Sequence, residues 1–404
     1  MTSSPTTSAS LWAAHPPDRP WLIVAGTRPE LIKLAPVILE LQRRDPSRVK
    51  LCVTGQHRQM VDSALEVFGL TADLDLNLMQ PGQSLSGLMG QALTSLGLVL
   101  DRLKPAGVVV QGDTTTVAAA AWAGFLQRVP VAHVEAGLRT YDRHLPFPEE
   151  VNRRSVGLLA DLHFAPTHQA CQHLLAEGVE PHRVQIVGNT VVDALRWLRP
   201  RLHDADLPPA VQDALDQGRR PILVTAHRRE SFGQPLRRAF QALRGLIDRF
   251  DDVEIIYPVH LNPQVQEAAG EVLAQTPRVH LIPPLDYRRF VATMTRACLI
   301  LTDSGGVQEE APSLGVPVLV MRDVTERPEG VQAGVVHLVG TDPVTILETA
   351  TRLLTNPQPR SAVDLYGDGL AARRIVATLL NDPHPPPPFI PPPISQNANA
   401  VVAW

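Results

Sequence analysis

Residues 21–55 read WLIVAGTRPELIKLAPVILELQRRDPSRVKLCVTG, and this stretch decides the fold class. It opens with one short apolar run at 21–26 and ends with another at 50–55, and the segment between them carries apolar residues at helical spacing. Strand-sized runs that alternate with helical segments are typical of βαβ units, in which helices connect parallel strands. The stretch therefore predicts the first βαβ unit of a parallel sheet.

The same alternation continues along the rest of the chain. Further apolar runs are AGVVVQG at 106, PVAHVEAG at 130, RVQIVGN at 183, PILVTAH at 221, VEIIYPVH at 253, RVHLIPPL at 278, ACLILTDSG at 297 and GVPVLVMR at 315. The pattern pauses only in the polar stretch at 199–220. We predict an α/β protein with two doubly wound Rossmann-like domains, residues 21–199 and 200–381, facing each other across a cleft. The last helix is expected to pack back on the first domain.

Low-complexity segments mark both ends of the chain. Residues 1–20 are rich in Ser, Thr, Pro and Ala, and residues 382–404 contain two runs of consecutive prolines. Such compositions bury little apolar surface, so we predict that both tails are disordered.

Composition narrows the range of functions. The 404 residues include 37 Lys+Arg and 41 Asp+Glu, a formal net charge of −4, so no strong field attracts nucleic acid or an anionic membrane. The 3 cysteines lack metal-ligand spacing, which disfavours a zinc site and a disulfide framework and fits a reducing cytoplasm. We therefore expect a cytoplasmic enzyme that binds a small molecule in a pocket.

The segment TDSGGVQEE at 302–310 follows a predicted strand and opens a predicted helix. The amides of Ser304, Gly305 and Gly306 would lie at the positive end of that helix, where a phosphate is stabilised. Arg327 follows closely, and Glu310 lies about one turn into the helix, where a carboxylate can accept both ribose hydroxyls. A nucleoside diphosphate is the predicted ligand. The alternative is that these residues only cap the helix and form a tight turn.

The first predicted helix begins at GTRPE, residues 26–30. This segment lacks both the three-glycine dinucleotide fingerprint and the P-loop pattern, so NAD binding and ATP hydrolysis are disfavoured. Arg28 would project from the strand end and Lys33 lies about a turn further on; the alternative is a solvated helix start. The pair Asp73 and Asp75 lies in an ordinary alternating segment and does not by itself predict a metal site.

Three carboxylates follow predicted strand ends or lie in the loop after one: Asp113 in QGDTTT, Glu135 in HVEAGLRT and Glu149 in PFPEEVNRR. Carboxyl groups near one cleft can have different pKa values, so that one serves as an acid and another as a base. Alternatively, Asp113 caps a helix and Glu149 only favours a helix N-terminus. Together with Arg153 and His227, the three acids favour catalysis.

A set of motifs makes the prediction more specific. In chain order they are GTRPE at 26, QHRQM at 56, QGDTTT at 111, HVEAGLRT at 133, PEEVNRR at 148, VGNTVVDAL at 187, AHRRESFG at 226, YPVHLNP at 257, TDSGGVQEEAPSLGVPVL at 302 and RDVTERPEGV at 322. This set resembles the bacterial non-hydrolysing UDP-N-acetylglucosamine 2-epimerases. The resemblance implies a GT-B glycosyltransferase type of fold, interconversion of UDP-N-acetylglucosamine and UDP-N-acetylmannosamine, no NAD or metal cofactor, and a homodimer.

The resemblance also implies roles for individual residues. The implied acid and base residues and their supports are Asp113, Glu135, Glu149, Arg153 and His227. The implied UDP-sugar ligands are Arg28, Lys33, Ser304, Gly305, Gly306, Glu310 and Arg327. Residues matching an activator site for a second UDP-N-acetylglucosamine are Gln56, Gln59, Arg228 and His260. The segment after Asp75 reads NLMQPGQSL, with no basic residue where activated members tend to carry an arginine.

Three rival functions remain open on the sequence alone. A GT-B glycosyltransferase would share the fold and the UDP site, since a fold does not determine a function. In a hydrolysing 2-epimerase, water would add to the glycal intermediate or attack C1, and UDP would not add back. A catalytically inactive nucleotide-sugar sensor is disfavoured because every acid position is filled.

Overall fold

A computed structural model of the chain describes residues 18–392 except 56–57, 81, 229–230 and 358. It divides the chain into two compact units. Unit 1 contains the residues up to Arg196 together with Tyr366–Ile390, and unit 2 contains Trp197–Leu365. The chain therefore returns to unit 1 after it has formed unit 2.

Unit 1 is built on a seven-stranded parallel sheet with the strand order β3-β2-β1-β4-β5-β6-β7. The strands are β1 (Trp21–Ala25), β2 (Val49–Val53), β3 (Leu74–Asp75), β4 (Gly107–Gln111), β5 (Val131–Val134), β6 (Leu162–Ala165) and β7 (Val184–Ile186). Strands β1 and β4 are buried along their whole length, which explains why they read as continuous apolar runs rather than as alternating ones.

The helices of unit 1 cross between these strands. They are α1 (Arg28–Arg44), α2 (Arg58–Phe68), α3 (Leu85–Leu103), α4 (Thr115–Leu126), α5 (Glu149–Leu159), α6 (His168–Ala176) and α7 (Thr190–Leu198), which reaches two residues past the unit boundary. Helix α4 is apolar on almost every side because it packs between α3 and α5 as well as on the sheet.

Unit 2 repeats the architecture with six parallel strands in the order β10-β9-β8-β11-β12-β13. The strands are β8 (Arg220–Thr225), β9 (Val253–Pro258), β10 (Val279–Ile282), β11 (Leu299–Thr302), β12 (Val318–Val320) and β13 (Val336–Leu338). The helices are α8 (Pro209–Asp216), α9 (Gln234–Arg249), α10 (Pro263–Leu273), α11 (Tyr287–Arg296), α12 (Gly305–Glu310), α13 (Pro328–Gln332) and α14 (Pro343–Thr355). The predicted fold class, two doubly wound α/β domains, is confirmed.

The strand orders locate the point in each sheet where the connections reverse direction. In unit 1 this switch point lies between β1 and β4, and in unit 2 it lies between β8 and β11. Ligands of doubly wound sheets bind beyond the carboxyl ends of the strands at such points. The residues that follow these four strands are therefore the candidates for ligand binding.

The last helix, α15 (Ala371–Leu379), groups with unit 1, although the chain just before it, up to Leu365, belongs to unit 2. The carboxylate of Asp193 in α7 accepts hydrogen bonds from the first two amides of this helix, those of Ala371 and Ala372, at 3.3 and 2.9 Å. At the other end the Trp21 indole donates to the Leu379 carbonyl at 3.2 Å. These contacts bind residues 366–381 to the first sheet rather than to the second.

The expectation that residues 382–404 are disordered is corrected for the part that the structure describes. The C-terminal segment, residues 382–390, groups with unit 1, and the Phe389 side chain is only 4% exposed. The Arg374 guanidinium donates to the Pro387 carbonyl at 2.6 Å. Prolines cannot donate, but their carbonyls accept, so a proline-rich segment can still dock on a folded surface. Residues 393–404 lie outside the described part.

At the other end, residues 18–20 already belong to the fold. The amide of Ala106 donates to the Pro20 carbonyl at 2.9 Å, and Arg19 Nη1 donates to the Lys104 carbonyl at 2.8 Å. The ordered body thus begins slightly before the predicted residue 21, and residues 1–17 lie outside the described part.

We expect deletion of residues 382–404 to lower the melting temperature by about 5 °C. The deletion removes the burial of one phenylalanine, Phe389, which is worth about 2 to 3 kcal/mol, and each kcal/mol corresponds to about 2 °C in a chain of this size. Differential scanning calorimetry would measure this change. A chain ending at residue 392 retains every described contact and serves as the control. An unchanged melting temperature in the larger deletion would show that the segment contributes nothing to stability.

Candidate active site

The loop after β1 closes around a buried carboxylate that the sequence analysis did not single out. Glu30, in the first turn of α1, accepts hydrogen bonds from the Gly26 amide at 2.6 Å and from Thr27 Oγ1 at 2.9 Å. Burial raises the pKa of Glu30 to about 7, although these donors oppose the shift. A Cβ added to Gly26 would lie 2.4 Å from Thr116 Oγ1, so this position requires glycine. Glu30 therefore fixes the loop that begins the first helix.

Asp113 follows β4, on the other side of the switch point, and it is not the cap of helix α4. Thr114 is the N-cap, since its Oγ1 accepts from the Val117 amide at 3.4 Å. The Asp113 Oδ2 atom instead lies 2.8 Å from Arg153 Nη2 in α5. The interpretation of Asp113 as only a helix cap is thus removed. The carboxylate is available for chemistry beside a fixed cation.

Arg153 is itself held in place from the protein side. Its Nη1 lies 3.4 Å from Glu150 Oε2, and the Glu150 carboxylate accepts the amides of Thr140 and Tyr141, both at 3.1 Å. Glu150 is fully buried, and Arg153 is nearly so. A buried guanidinium with two carboxylate partners has few other rotamers open to it, so it holds Asp113 in one position.

Glu135 follows β5 and shares one carboxylate oxygen between two donors. Its Oε2 pairs with the ammonium of Lys33 and accepts from Asn189 Nδ2 at 3.2 Å. The backbone of Glu135 is left-handed, with φ +63°, which is uncommon outside glycine. Lys33, predicted as a UDP-sugar ligand, therefore forms an ion pair with Glu135, a predicted acid or base residue.

Two further predicted residues of unit 1 lie at helix starts. Glu149 is the first residue of α5, and Arg28 is the first residue of α1; both side chains are half-buried. Asp113 is tied to Glu149's helix through Arg153 and through Asn152 Nδ2, which donates to the Asp113 carbonyl at 2.9 Å.

In unit 2 the switch point is organised by Asp303, the second residue of the TDSGGVQEE segment. Its Oδ2 accepts the amides of His227 and Arg228 at 2.7 and 2.8 Å, and its Oδ1 lies 3.0 Å from His227 Nδ1. These donors hold the pKa of Asp303 below its usual value despite burial. Asp303 thus orients the imidazole of His227 after β8, and the His227 ring stacks on the His260 ring with 5.7 Å between the ring centroids.

The start of α12 carries the predicted phosphate site. Ser304 occupies the N-cap position without a side-chain cap, and a Cβ added to Gly305 would lie 2.7 Å from Arg327 Nη1. The Arg327 guanidinium therefore lies directly against the first turn of this helix. Its Nε donates to Glu309 Oε1 at 2.6 Å, so the cation has a fixed position.

A second carboxylate reinforces this arginine. Glu326 lies 3.4 Å from Arg327 and 3.1 Å from Arg322, and the two guanidinium groups lower the pKa of Glu326 to about 2 although burial opposes them. Glu310 at the end of α12 accepts from the buried Tyr287 hydroxyl at 2.8 Å. A cation, helix amides and an acceptor carboxylate thus lie on or against one short helix, the combination that the sequence analysis predicted for a nucleoside diphosphate.

The residues predicted to bind an activator are only partly accounted for. Arg228 and His260 lie next to His227, as described above. Gln56 and the side chain of Gln59 lie outside the described part of the chain.

Within the described residues, no group of three or more His, Cys, Asp or Glu side chains is arranged to hold a metal ion. Asp73 instead accepts from the Leu51 amide at 2.8 Å and pairs with Lys50 at 2.7 Å. None of the helices that the structure describes is long and apolar enough to cross a membrane.

Comparison with known proteins identifies the class. The chain matches the sequence profile of the UDP-N-acetylglucosamine 2-epimerase family over residues 39–380. It is 49% identical to the UDP-N-acetylglucosamine 2-epimerase of Escherichia coli (strain K12) over 369 residues, covering 89% of this chain and 98% of that protein. This family match, together with the two doubly wound units, defines a nucleotide-sugar enzyme of the GT-B fold type.

Solved structures agree with this class. The UDP-N-acetylglucosamine 2-epimerase of Neisseria meningitidis, solved with UDP-N-acetylglucosamine, is 44% identical with a TM-score of 0.84, covering 90% of this chain and all of that one. An S. aureus protein solved with UDP is 43% identical with a TM-score of 0.85, covering 92% of this chain and 100% of that one. The chain belongs to the UDP-N-acetylglucosamine 2-epimerase family, and the resemblance drawn from its motifs is confirmed.

Sequence reasoning missed residues that act through others. Asp303, Glu150, Tyr287 and Asn189 each hold a predicted site residue in place. Asp303 and Asn189 lie inside quoted motifs and directly after predicted strands, which is a usable signal. Glu150 likewise lies inside a quoted motif, PEEVNRR at 148, next to the predicted Glu149. Tyr287 offers no signal, because only the tertiary structure brings it to Glu310.

Proposed function

We propose that this enzyme interconverts UDP-N-acetylglucosamine and UDP-N-acetylmannosamine by elimination and re-addition of UDP, without net hydrolysis. The observation that carries the proposal is the pair of carboxylates in unit 1, Asp113 and Glu135, each held against its own cation. Inversion at C2 requires a proton to leave one face and return on the other, so it needs more than one acid or base group. Glu149 is the third member of the proposed set.

The chemistry follows from the position of the C2 proton, which has no adjacent carbonyl to make it acidic. The C1–O bond to UDP breaks, and the leaving diphosphate takes the bonding electron pair. A carboxylate removes the C2 proton as positive charge develops at C1, and the C1–C2 double bond of 2-acetamidoglucal forms. Addition of UDP at C1 and of a proton at the opposite face of C2 gives the epimer.

The other residues have supporting roles in this proposal. Arg153 and Lys33 hold Asp113 and Glu135 in place through ion pairs. In this proposal the charge on the leaving diphosphate is stabilised by Arg28, Arg327, His227 and the amides of Ser304, Gly305 and Gly306. Glu310 accepts hydrogen bonds from the ribose hydroxyls. Charge on the departing diphosphate is the largest that develops in the reaction, so fixed donors there lower the barrier.

The proposal is tested by incubating the purified enzyme with UDP-N-acetylglucosamine in heavy water and following C2 by proton NMR. We expect deuterium at C2 of both recovered substrate and product, because the abstracted proton exchanges with solvent. Epimerisation without deuterium would point to another mechanism. Accumulation of free N-acetylmannosamine with UDP would identify the hydrolysing reaction instead.

We expect turnover to survive dialysis against EDTA and to need no added NAD. The sequence lacks the dinucleotide fingerprint and any metal-ligand spacing, and the proposed steps transfer protons rather than hydride. The measurement is the initial rate of epimerisation before and after dialysis. Loss of activity that magnesium restores would contradict this expectation.

We also propose that the enzyme works in the cytoplasm as a homodimer. Helices α3, α4 and α5 of unit 1 pack side by side and expose large apolar side chains, among them Leu98, Phe125 and Leu158, the last at 83% exposure. A second copy of the same surface would cover such a patch symmetrically. Light scattering should give twice the chain mass, and Phe125→Asp with Leu158→Asp should give one chain mass. Leu261→Asp, at an exposed leucine of unit 2, is the control.

A further inference from the structure

We propose that Phe389, in the C-terminal segment, is a positioning residue for Glu135 and acts through Asn189. This inference rests on the proposed function of Glu135 as an acid or base. It assigns a role in catalysis to a proline-rich segment that composition alone marks as a dispensable tail.

Phe389 packs against the loop that follows β7. Its amide donates to the Ile186 carbonyl at the end of β7, at 3.3 Å. A Cβ added to Gly188 would lie 3.5 Å from Phe389 Cγ and 3.2 Å from Gly367 Cα. The Phe389 ring and the backbone of Gly367 therefore both pack against Gly188. The φ of Gly188 is +87°, a conformation that favours glycine.

Arg374 binds both the C-terminal segment and the loop after β7. Arg374, in α15, donates to the Pro387 carbonyl at 2.6 Å and to the Val187 carbonyl at 2.9 Å. Its other donors pair with both oxygens of Asp368, at 2.8 and 2.6 Å, so the guanidinium cannot rotate without losing several bonds. One buried cation thus ties the C-terminal segment to the loop after β7.

Asn189 is the last residue of that loop. Its amide donates to the Tyr366 carbonyl at 2.6 Å, and its Oδ1 accepts from the Val191 amide at 3.0 Å. Because the oxygen is used by Val191, the Nδ2 group must point the other way. There it donates to Glu135 Oε2 at 3.2 Å. The position of the 187–189 loop therefore sets the direction of a hydrogen bond to Glu135.

Removing the ring would leave the loop without packing on one side. We expect Phe389→Ala to lower kcat for epimerisation by about 10-fold, since misplacing a reacting group by a fraction of an ångström is enough for such a loss. The KM for UDP-N-acetylglucosamine should change by less than about twofold, because the diphosphate ligands lie elsewhere. Phe389→Leu, which refills most of the space, should restore most of kcat.

The control is Ile390→Ala, at the next residue, whose side chain is 84% exposed. It should match the wild type. All rates are measured below the melting temperature of each variant, with the folded fraction checked by circular dichroism. A folded Phe389→Ala variant with wild-type kcat would overturn the inference.

A double-mutant cycle tests the route through Asn189. In an Asn189→Ser background, adding Phe389→Ala should lower kcat by less than about twofold, because the hydrogen bond it acts through is already lost. Equal effects of Phe389→Ala in both backgrounds would overturn the inference. Failure of the wild type to epimerise the sugar would instead overturn the proposed function, so the two failures are distinguishable.

Discussion

Asp113→Asn is expected to lower kcat for epimerisation by about 100-fold or more, with nearly unchanged affinity for UDP. The asparagine amide keeps the shape of the side chain but cannot take or return a proton at C2. Arg153 keeps its contact with the buried Glu150, so the guanidinium remains paired and the fold is preserved. NMR of the C2 proton gives kcat, and calorimetry with UDP gives the affinity.

The matched control is Asp101→Asn, at an exposed position of α3. It removes the same charge from the chain and should leave kcat unchanged. Near-normal turnover in folded Asp113→Asn would remove Asp113 from the acid and base set and leave Glu135 and Glu149 as the candidates. A large loss of UDP affinity would show that Asp113 serves binding instead.

Arg327→Ala is expected to weaken UDP binding by about 10- to 100-fold, since a charge-assisted clamp on a diphosphate is worth about 1.5 to 3 kcal/mol. The physical reason is the position of the guanidinium against Gly305 at the start of α12, where a phosphate would bind. Isothermal calorimetry with UDP measures the change. Arg327→Lys keeps the positive charge but loses the forked pair of donors. Its affinity for UDP should lie between that of the wild type and that of Arg327→Ala.

This substitution also affects stability, and the two effects can be separated. Arg327 pairs with the buried Glu309, so the alanine variant leaves a buried carboxylate without its cation and should unfold more easily. Adding Glu309→Gln should recover stability without recovering UDP affinity. Arg244→Ala, at an exposed arginine of α9, is the control for loss of charge. Unchanged UDP affinity in the folded variant would count against the assignment.

The two sheets could be predicted because the signal for a buried parallel strand is local. A short, mostly apolar run marks each long strand, and the residues after it lie at the carboxyl edge of the sheet. This local signal is enough to place Asp113, Glu135, His227 and Ser304 at the edges where ligands bind. Short strands such as β3, with two residues, carry no such signal.

Pairings between distant residues could not be predicted in the same way. Lys33 and Glu135 are separated by 102 positions, and only the strand order brings the start of α1 to the end of β5. The sequence predicts a polar residue at each place and leaves its partner open. The role of Lys33 beside a carboxylate is therefore a result of the tertiary structure.

The sequence by itself determined the fold class, the family and the chemical types of residue at the strand ends, because periodicity and motifs are properties of neighbouring residues. The tertiary structure alone decided that residues 382–390 group with unit 1 and that Phe389 is buried within this proline-rich segment. Composition predicts whether a segment can form a core of its own. It cannot predict whether another part of the chain offers that segment a glycine to cover and an arginine to bind its carbonyls.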